Sequence, residues 1–380
     1  MTPRSIQAAL GLLLSACNAQ PSRSAAPEGE RPFTVTEIAR FDAPWAMDFL
    51  PGSGVRLTNM ALVTDKAGTL WLLDAASGRK QPVAGVPQVT VTGQGGLADV
   101  VADPGFAGNR RVYLSFTEGG PGGTSGGTLG YGRLILGQGP PRIDGFKVIW
   151  RQTPKVSGGG HYSQRIAFAP DGTIFLSSGE RQKMTPAQGL DSDLGKVIHL
   201  TAEGQPVAGP WANRGGRTAS YYSIGHRNLL GLSFAPDGRL WEVEMGPKGG
   251  DEVNLILPGK NYGWPVASYG SHYDGRDIPD DHQGRGFEEP KVWWNPSVSP
   301  GALLIYTGEM FPQWKGDALI GALSGQAFIR VDIDGDRARK ADQWDMGARI
   351  RALDQGPRGE VYLLEDGDSG GRLLRLEPRR

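Results

Sequence analysis

The chain contains one cysteine, Cys17, in 380 residues, and forty Lys and Arg are balanced by forty Asp and Glu. With its one thiol so near the N-terminus, the folded body is expected to hold no disulfide and no thiol chemistry. Charge parity argues against nucleic acid as the main partner, which usually requires a basic surplus. After residue 14 no stretch is apolar enough to cross a bilayer. The short run Ile6-Gln-Ala-Ala-Leu-Gly-Leu-Leu-Leu14, preceded by Arg4, has the length of a signal-peptide apolar region. Leu14-Ser-Ala-Cys17 resembles a bacterial lipobox, with a plain secretion signal as the alternative. Residues 18–32, rich in Ala, Ser, Pro and Glu, read as a tether. The expected organisation is therefore a signal segment over 1–17, a linker over 18–32 and one folded domain over 33–380. Export to the periplasm is expected, with membrane attachment only through a lipid on Cys17.

Helical periodicity is also scarce, whereas glycine (58) and proline (28) are abundant and spaced between apolar runs. That distribution suits many short strands joined by turns. One phrase recurs: Phe168-Ala-Pro-Asp-Gly-Thr-Ile-Phe-Leu is repeated closely at Phe234-Ala-Pro-Asp-Gly-Arg-Leu-Trp. Looser copies begin at Phe49, Val101, Trp314 and Gln355. Asp-Gly between apolar runs is a hairpin signal, because both residues tolerate the positive φ of tight turns. Six copies leave room for four strands in each unit. The expected fold is all-β, a six-bladed β-propeller with four-stranded antiparallel blades; a two-sheet sandwich would leave the recurring phrase unexplained.

Five polar, mostly Gly-rich islands interrupt this pattern: Gln94-Gly-Gly-Leu97, Gly158-Gly-Gly-His-Tyr-Ser-Gln-Arg165, Tyr222-Ser-Ile-Gly-His-Arg-Asn228, Glu244-Met-Gly-Pro-Lys-Gly-Gly-Asp-Glu252 and Arg349-Ile-Arg351. Four of them precede a repeat at a comparable offset, so radial symmetry would gather several at one mouth. Read alone, each has an ordinary structural explanation: a loop histidine, a solvated Arg-x-Arg face, a turn with exposed carboxylates. The run 119–132 lacks the Gly-Lys-Ser/Thr ending of a phosphate loop and reads as a flexible loop.

In order and spacing, the islands resemble those of the soluble PQQ-dependent glucose and aldose sugar dehydrogenases, the glucose/sorbosone dehydrogenase family. The likeness runs from about Phe41 to Leu376 and is most particular at Gly225-His-Arg-Asn228, Gly250-Asp-Glu-Val-Asn-Leu-Ile256 and Asn261-Tyr-Gly-Trp-Pro265. The resemblance implies His161 as catalytic base. It implies Gln94, Arg227, Asn228, Arg349 and Arg351 around the PQQ cofactor, and Gly246 and Pro247 as carbonyl ligands of a calcium bridging to it. Glu252 and the Tyr262 carbonyl resemble ligands of a second calcium, Trp294 an aromatic wall over the sugar, and Glu180 a residue near it. The chemistry is consistent: arginines match the carboxylates of a flat tricarboxylate quinone, calcium prefers carbonyl and carboxylate oxygens, and imidazole takes a proton near neutral pH. Gly160, Glu180-Arg181 and Ser324 depart from the glucose-enzyme pattern. The implied activity is oxidation of an aldose to its lactone, with electrons leaving to an external acceptor. A noncatalytic carbohydrate- or protein-binding propeller is the competing class, and a lactonase-type hydrolase a third.

Overall fold

The computed structural model describes residues 31–52, 57–367 and 370–379. The signal segment, Cys17 and the tether up to residue 30 lie outside the described residues. Six antiparallel four-stranded sheets make up the fold, with one extra two-stranded ribbon, so the expected propeller is observed and a sandwich is excluded. From the axis outward, the first blade runs through the strands Pro44–Phe49, Met60–Asp65, Thr69–Asp74 and Arg79–Val83. The next four blades begin with Leu97–Ala102, Ser163–Phe168, Leu229–Phe234 and Pro300–Ile305. The sixth combines Ile350–Gln355, Val361–Glu365 and Gly371–Pro378 with the first strand of the chain, Phe33–Phe41, as its outer edge. Pairing Phe33 with Pro378 and Phe41 with Gly371 ties the two ends of the propeller together. Among the described residues no helix is long and apolar enough to cross a membrane.

Burial follows the blade architecture. Second strands such as Ile174–Ser178 and Val361–Glu365 are buried along their whole length, because both blade faces pack against neighbouring blades. Outer strands such as Arg79–Val83 are mostly exposed and polar. Leu62, Leu97, Val112 and Leu114 belong to a cluster that joins the first two blades, and Trp241, Val253, Ile320 and Ile329 to one that joins the fourth and fifth. Phe33 inserts among Trp314, Phe328 and Trp344 at 5.3–6.1 Å, so the closing strand is fastened by aromatic packing as well as by its ladder.

Two repeated features set the polarity of the molecule. All six copies of the recurring phrase fall between the first and second strands of their blades, and so lie at one end of the channel. At the other end, every first strand carries a register shift against its neighbour, between Pro44/Ala46, Leu97/Val100, Ser163/Ile166, Leu229/Gly231, Pro300/Ala302 and Ile350/Ala352. A bulge leaves a residue unpaired and re-aims its neighbours. Six at one level turn side chains and carbonyls into the channel just below the mouth where the polar islands emerge.

The run 119–132 is not a flexible loop. Most of it belongs to the strand Ser125–Ile135, with only a short turn before it. Gly130 and Gly132 within it are demanded by packing: a Cβ at Gly130 would lie 2.6 Å from the Phe146 ring, and one at Gly132 2.3 Å from Ile143.

Candidate active site at the mouth of the channel

The mouth encloses a cavity of about 270 Å³. Gln94, Asn228, Arg349 and Arg351 all line it, with Tyr162 to Gln164 from the third blade and Asp366 from the sixth. The site is built from the starts of first strands and from the loops that follow second strands.

Two facing loops carry the strain of this construction. Of the nine non-glycine residues with positive φ among the described residues, six are His161, Ser163, Gln164, Arg181, Gln182 and Met184. Such conformations persist only where surrounding contacts enforce them. Arg181 supplies the enforcement. Fully buried, it donates to the carbonyls of Gly160 (2.8 Å), Ser125 (2.6 Å) and Gly158 (2.5 Å), and its guanidinium lies 3.6 Å from the centre of the Tyr162 ring. Gln94 locks the other side by accepting the His161 backbone N–H at 2.7 Å, while its own N–H donates to Gly159 O. A Cβ at Gly93 would lie 2.3 Å from that same carbonyl, so the two loops meet only through glycine.

His161 is 7% exposed, and its Nδ1 lies 2.5 Å from Glu180 Oε1. Glu180 is fully buried; it also accepts the backbone N–H groups of Gln182 and Met184. Glu180 therefore stands behind the imidazole, on its Nδ1 side. An acceptor at Nδ1 selects the tautomer that leaves Nε2 free to take a proton. Burial, reinforced by the Arg227 charge, lowers the His161 pKa below its ordinary value despite Glu180. For Glu180 burial acts upward, but the His161 hydrogen bond and charge outweigh it and the carboxyl stays low. The pair is thus a neutral imidazole on a carboxylate.

Arg349 Nε and Arg351 Nε donate to the two oxygens of Asp366 at 2.8 and 3.0 Å. Burial raises the Asp366 pKa, yet the two arginines more than offset it and hold the carboxyl below its usual range. Asn228, 1% exposed, accepts the Ser163 hydroxyl at 3.3 Å. Arg227 turns elsewhere: Nη1 donates to the carbonyls of Met245 (2.9 Å) and Gly246 (2.6 Å), and Nη2 to Tyr273 Oη (3.2 Å). Its backbone N–H is held by Glu244, which also lies 3.1 Å from His226 Nδ1, so His226 braces this loop.

Gly246, Glu252 and Tyr262 surround a second, much smaller cavity with Arg227 and Glu244. Pro247 follows Gly246, buried in the same loop. Glu242, Glu244 and Glu252 are all buried there, and Glu242 Oε1 and Asn254 Oδ1 have no hydrogen-bond partner among the described residues. Burial, with the Glu244 charge beside them, holds Glu242 and Glu252 well above the usual carboxylate range. Such crowded hard oxygens are what a bound cation would relieve. Asp251 orders the neighbouring backbone by accepting the N–H groups of Gly246, Val298 and Ser299.

Trp294 departs from expectation. It is 5% exposed and packs in the apolar cluster between the fourth and fifth blades, so it forms no wall over the mouth. Its neighbour Trp293 is the exposed one, stacked on Tyr269 at 4.4 Å. Strand alternation places the two tryptophans on opposite faces, and sequence alone does not say which face is the core. Trp294→Leu is accordingly expected to cost roughly 1–3 kcal/mol of stability and to leave the KM for any sugar substrate unchanged, measured by thermal unfolding and steady-state kinetics. Sequence reasoning assigned no role to the supporting carboxylates Asp251 and Asp366.

A β-propeller with a carboxylate-backed histidine and paired arginines at one mouth offers a cationic site for an anionic ligand. The family model "Glucose / Sorbosone dehydrogenase" matches residues 41–375. The chain is 38% identical over 347 residues to aldose sugar dehydrogenase YliI of Escherichia coli K12, covering 90% of this chain and 91% of that protein. Among solved structures, it is similar to the soluble aldose sugar dehydrogenase of Escherichia coli in its apo form, with TM-score 0.85, 37% identity and coverage of 91% and 100% of the two chains. It is also similar to the PQQ-bound aldose sugar dehydrogenase of Streptomyces coelicolor, with TM-score 0.74, 26% identity and coverage of 91% and 98%. The chain belongs to the glucose/sorbosone dehydrogenase family and is an oxidoreductase.

Proposed function

We propose that this protein oxidises aldoses at the anomeric carbon to lactones, using PQQ assisted by calcium and passing electrons to an external acceptor. The observation that carries the reading is the mouth itself: a carboxylate-backed His161, next in the chain to the cavity-lining Tyr162, beside a cavity lined by Arg349, Arg351, Gln94 and Asn228. The donor set fits a flat, polyanionic cofactor, since two guanidinium groups and two amides converge on one cavity. PQQ, when bound, supplies a two-electron o-quinone acceptor for the hydride of the sugar. The protein supplies the rest. Arg349 and Arg351 hold carboxylates, Gln94 and Asn228 orient the ring system, and His161 Nε2 takes the anomeric hydroxyl proton as the C–H bond breaks.

The calcium sites also fit, by donor chemistry. The Gly246 carbonyl already accepts the Arg227 guanidinium at 2.6 Å, and with the Pro247 carbonyl it would offer the hard oxygens that calcium prefers. Glu252 and the Tyr262 carbonyl, with Glu244 close by, would hold a second ion that neutralises the buried carboxylates. In the same reading the protein is exported to the periplasm and anchored through Cys17, as the N-terminal sequence suggests.

The deciding experiment is redox-dye reduction by purified protein with a panel of aldoses. Turnover is expected only when PQQ and calcium are both added; no turnover of any aldose under those conditions would sink the enzymatic reading. Exhaustive chelation should release PQQ and lower the thermal midpoint together, because ligands that bind only the folded state add about 2.7 kcal/mol at a hundredfold excess over Kd. Full PQQ binding and unchanged melting in chelator would remove both calcium assignments.

A further inference from the structure

Lys66 lines the mouth cavity beside Gln94, Arg349 and Arg351. It lies in the turn after Met60–Asp65, the second strand of the first blade. Its backbone is pinned on both sides: the N–H donates to Ala43 O at 2.9 Å, and the carbonyl accepts Leu97 N–H at 3.1 Å. The turn therefore bridges the first and second blades. Gly96 lies directly against it. A Cβ at that position would fall 2.2 Å from Lys66 O and 2.8 Å from Lys66 Cγ, so the side-chain stem passes where only glycine leaves room. This explains part of the Gln94-Gly-Gly-Leu97 island.

The ammonium group is what stands out electrically. Arg349 and Arg351 share one carboxylate, Asp366, which cancels one of their two charges. The Lys66 ammonium has neither a hydrogen bond nor an ion pair among the described residues. It is also only partly exposed. An ammonium drawn partly out of bulk water and left unpaired costs free energy that a bound anion would return. Three cations and one carboxylate give the cavity a net charge of about +2, half of it from Lys66, and that matches a polycarboxylate better than a neutral sugar.

We propose that Lys66 is a cofactor ligand, binding a carboxylate of PQQ from the first blade in concert with Arg349 and Arg351. The inference rests on the PQQ reading above and adds to it the residue that supplies half of the cavity's net charge. A compact, flexible ammonium suits this place, since it can follow a carboxylate without the fixed fork of a guanidinium.

The test is a titration of calcium-loaded apoprotein with PQQ, followed by intrinsic fluorescence at low and high ionic strength. Lys66→Gln is expected to weaken PQQ binding about tenfold to a hundredfold at low salt and to flatten the salt dependence. Lys66→Arg should restore most of the affinity. The thermal midpoint of the apoprotein should not move, because the ammonium has no partner to lose, and the KM for aldose at saturating PQQ should stay at the parental value. If Lys66→Gln binds PQQ as the parent does, the inference falls while the proposed function stands. A parent protein that binds no PQQ overturns both. A raised aldose KM with unchanged PQQ affinity would make Lys66 a sugar ligand, and a lowered apoprotein midpoint would assign it to the fold; either outcome also overturns the inference.

Discussion

His161→Ala is expected to lower kcat by about 10² to 10⁴ while PQQ and calcium binding persist. That loss corresponds to roughly 3–5.5 kcal/mol of transition-state stabilisation. Persistence is expected because Arg349, Arg351 and Asn228 are held by Asp366 and Ser163, with no hydrogen bond to the imidazole. The parent should show a rising limb in its pH–rate profile at or below the ordinary imidazole pKa of about 6.5, since burial and the Arg227 charge both lower His161. The sign follows from the chemistry: the base acts only when neutral, so activity appears as pH rises through its pKa. Glu180→Gln keeps an acceptor for Nδ1 but removes the negative charge that opposes this shift, so the limb should move further toward acid. It should cost less in kcat than His161→Ala, because the base remains. A His161→Ala variant with parental kcat at saturating sugar and PQQ would make the histidine a loop residue. A limb that survives in that variant would locate the titrating base elsewhere.

The legible part of this protein was its repeat. Phe-Ala-Pro-Asp-Gly signals one local event, a tight turn between two apolar strands, and all six copies mark the same turn in their blades. Offsets from those turns pointed the polar islands toward one mouth, and the family resemblance picked out Gln94, Asn228, Arg349 and Arg351 within them, which are found around one cavity. What stayed hidden depended on which way a side chain points. Trp293 and Trp294 are adjacent, and their exchange of core and solvent roles turns on one residue of register. Glu180 follows Gly179 in a strained loop whose left-handed residues aim the carboxylate inward, and no periodicity reports such a loop. The edge strand Phe33–Phe41 carries no copy of the phrase. Its place in the sixth blade depends on a pairing more than 300 residues away along the chain.

Arg165 was hidden for the same reason, and it carries the largest structural prediction. It follows His161 by four residues in a strand whose bulge turns it into the channel, where it reaches every blade. Its guanidinium lies 4.0 Å from the centre of the Trp45 ring of the first blade and pairs with Asp99 of the second at 3.1 Å. From its own third blade it donates to the carbonyls of Leu230 (2.7 Å), Gly301 (2.8 Å) and Arg351 (3.3 Å) in the fourth, fifth and sixth. Those groups lie at the bulges of their strands, where the ladder is interrupted and an outside donor can take its place. Arg165→Met is expected to cost about 3–5 kcal/mol, the scale of breaking a buried pair and leaving one charge behind. The charge left is Asp99, whose pKa burial already raises against the pull of Arg165. Without the arginine it should rise further. A carboxyl whose pKa is raised in the folded state contributes stability at acid pH and loses it as pH climbs through that pKa. The deficit of Arg165→Met should therefore be smaller near pH 5 than near pH 8, and adding Asp99→Asn should remove that difference. Chemical denaturation of the two variants and the parent across this range measures it. A pH-independent deficit would mean that the arginine stabilises the propeller through its carbonyl bonds and the Trp45 ring, with no electrostatic part played by Asp99.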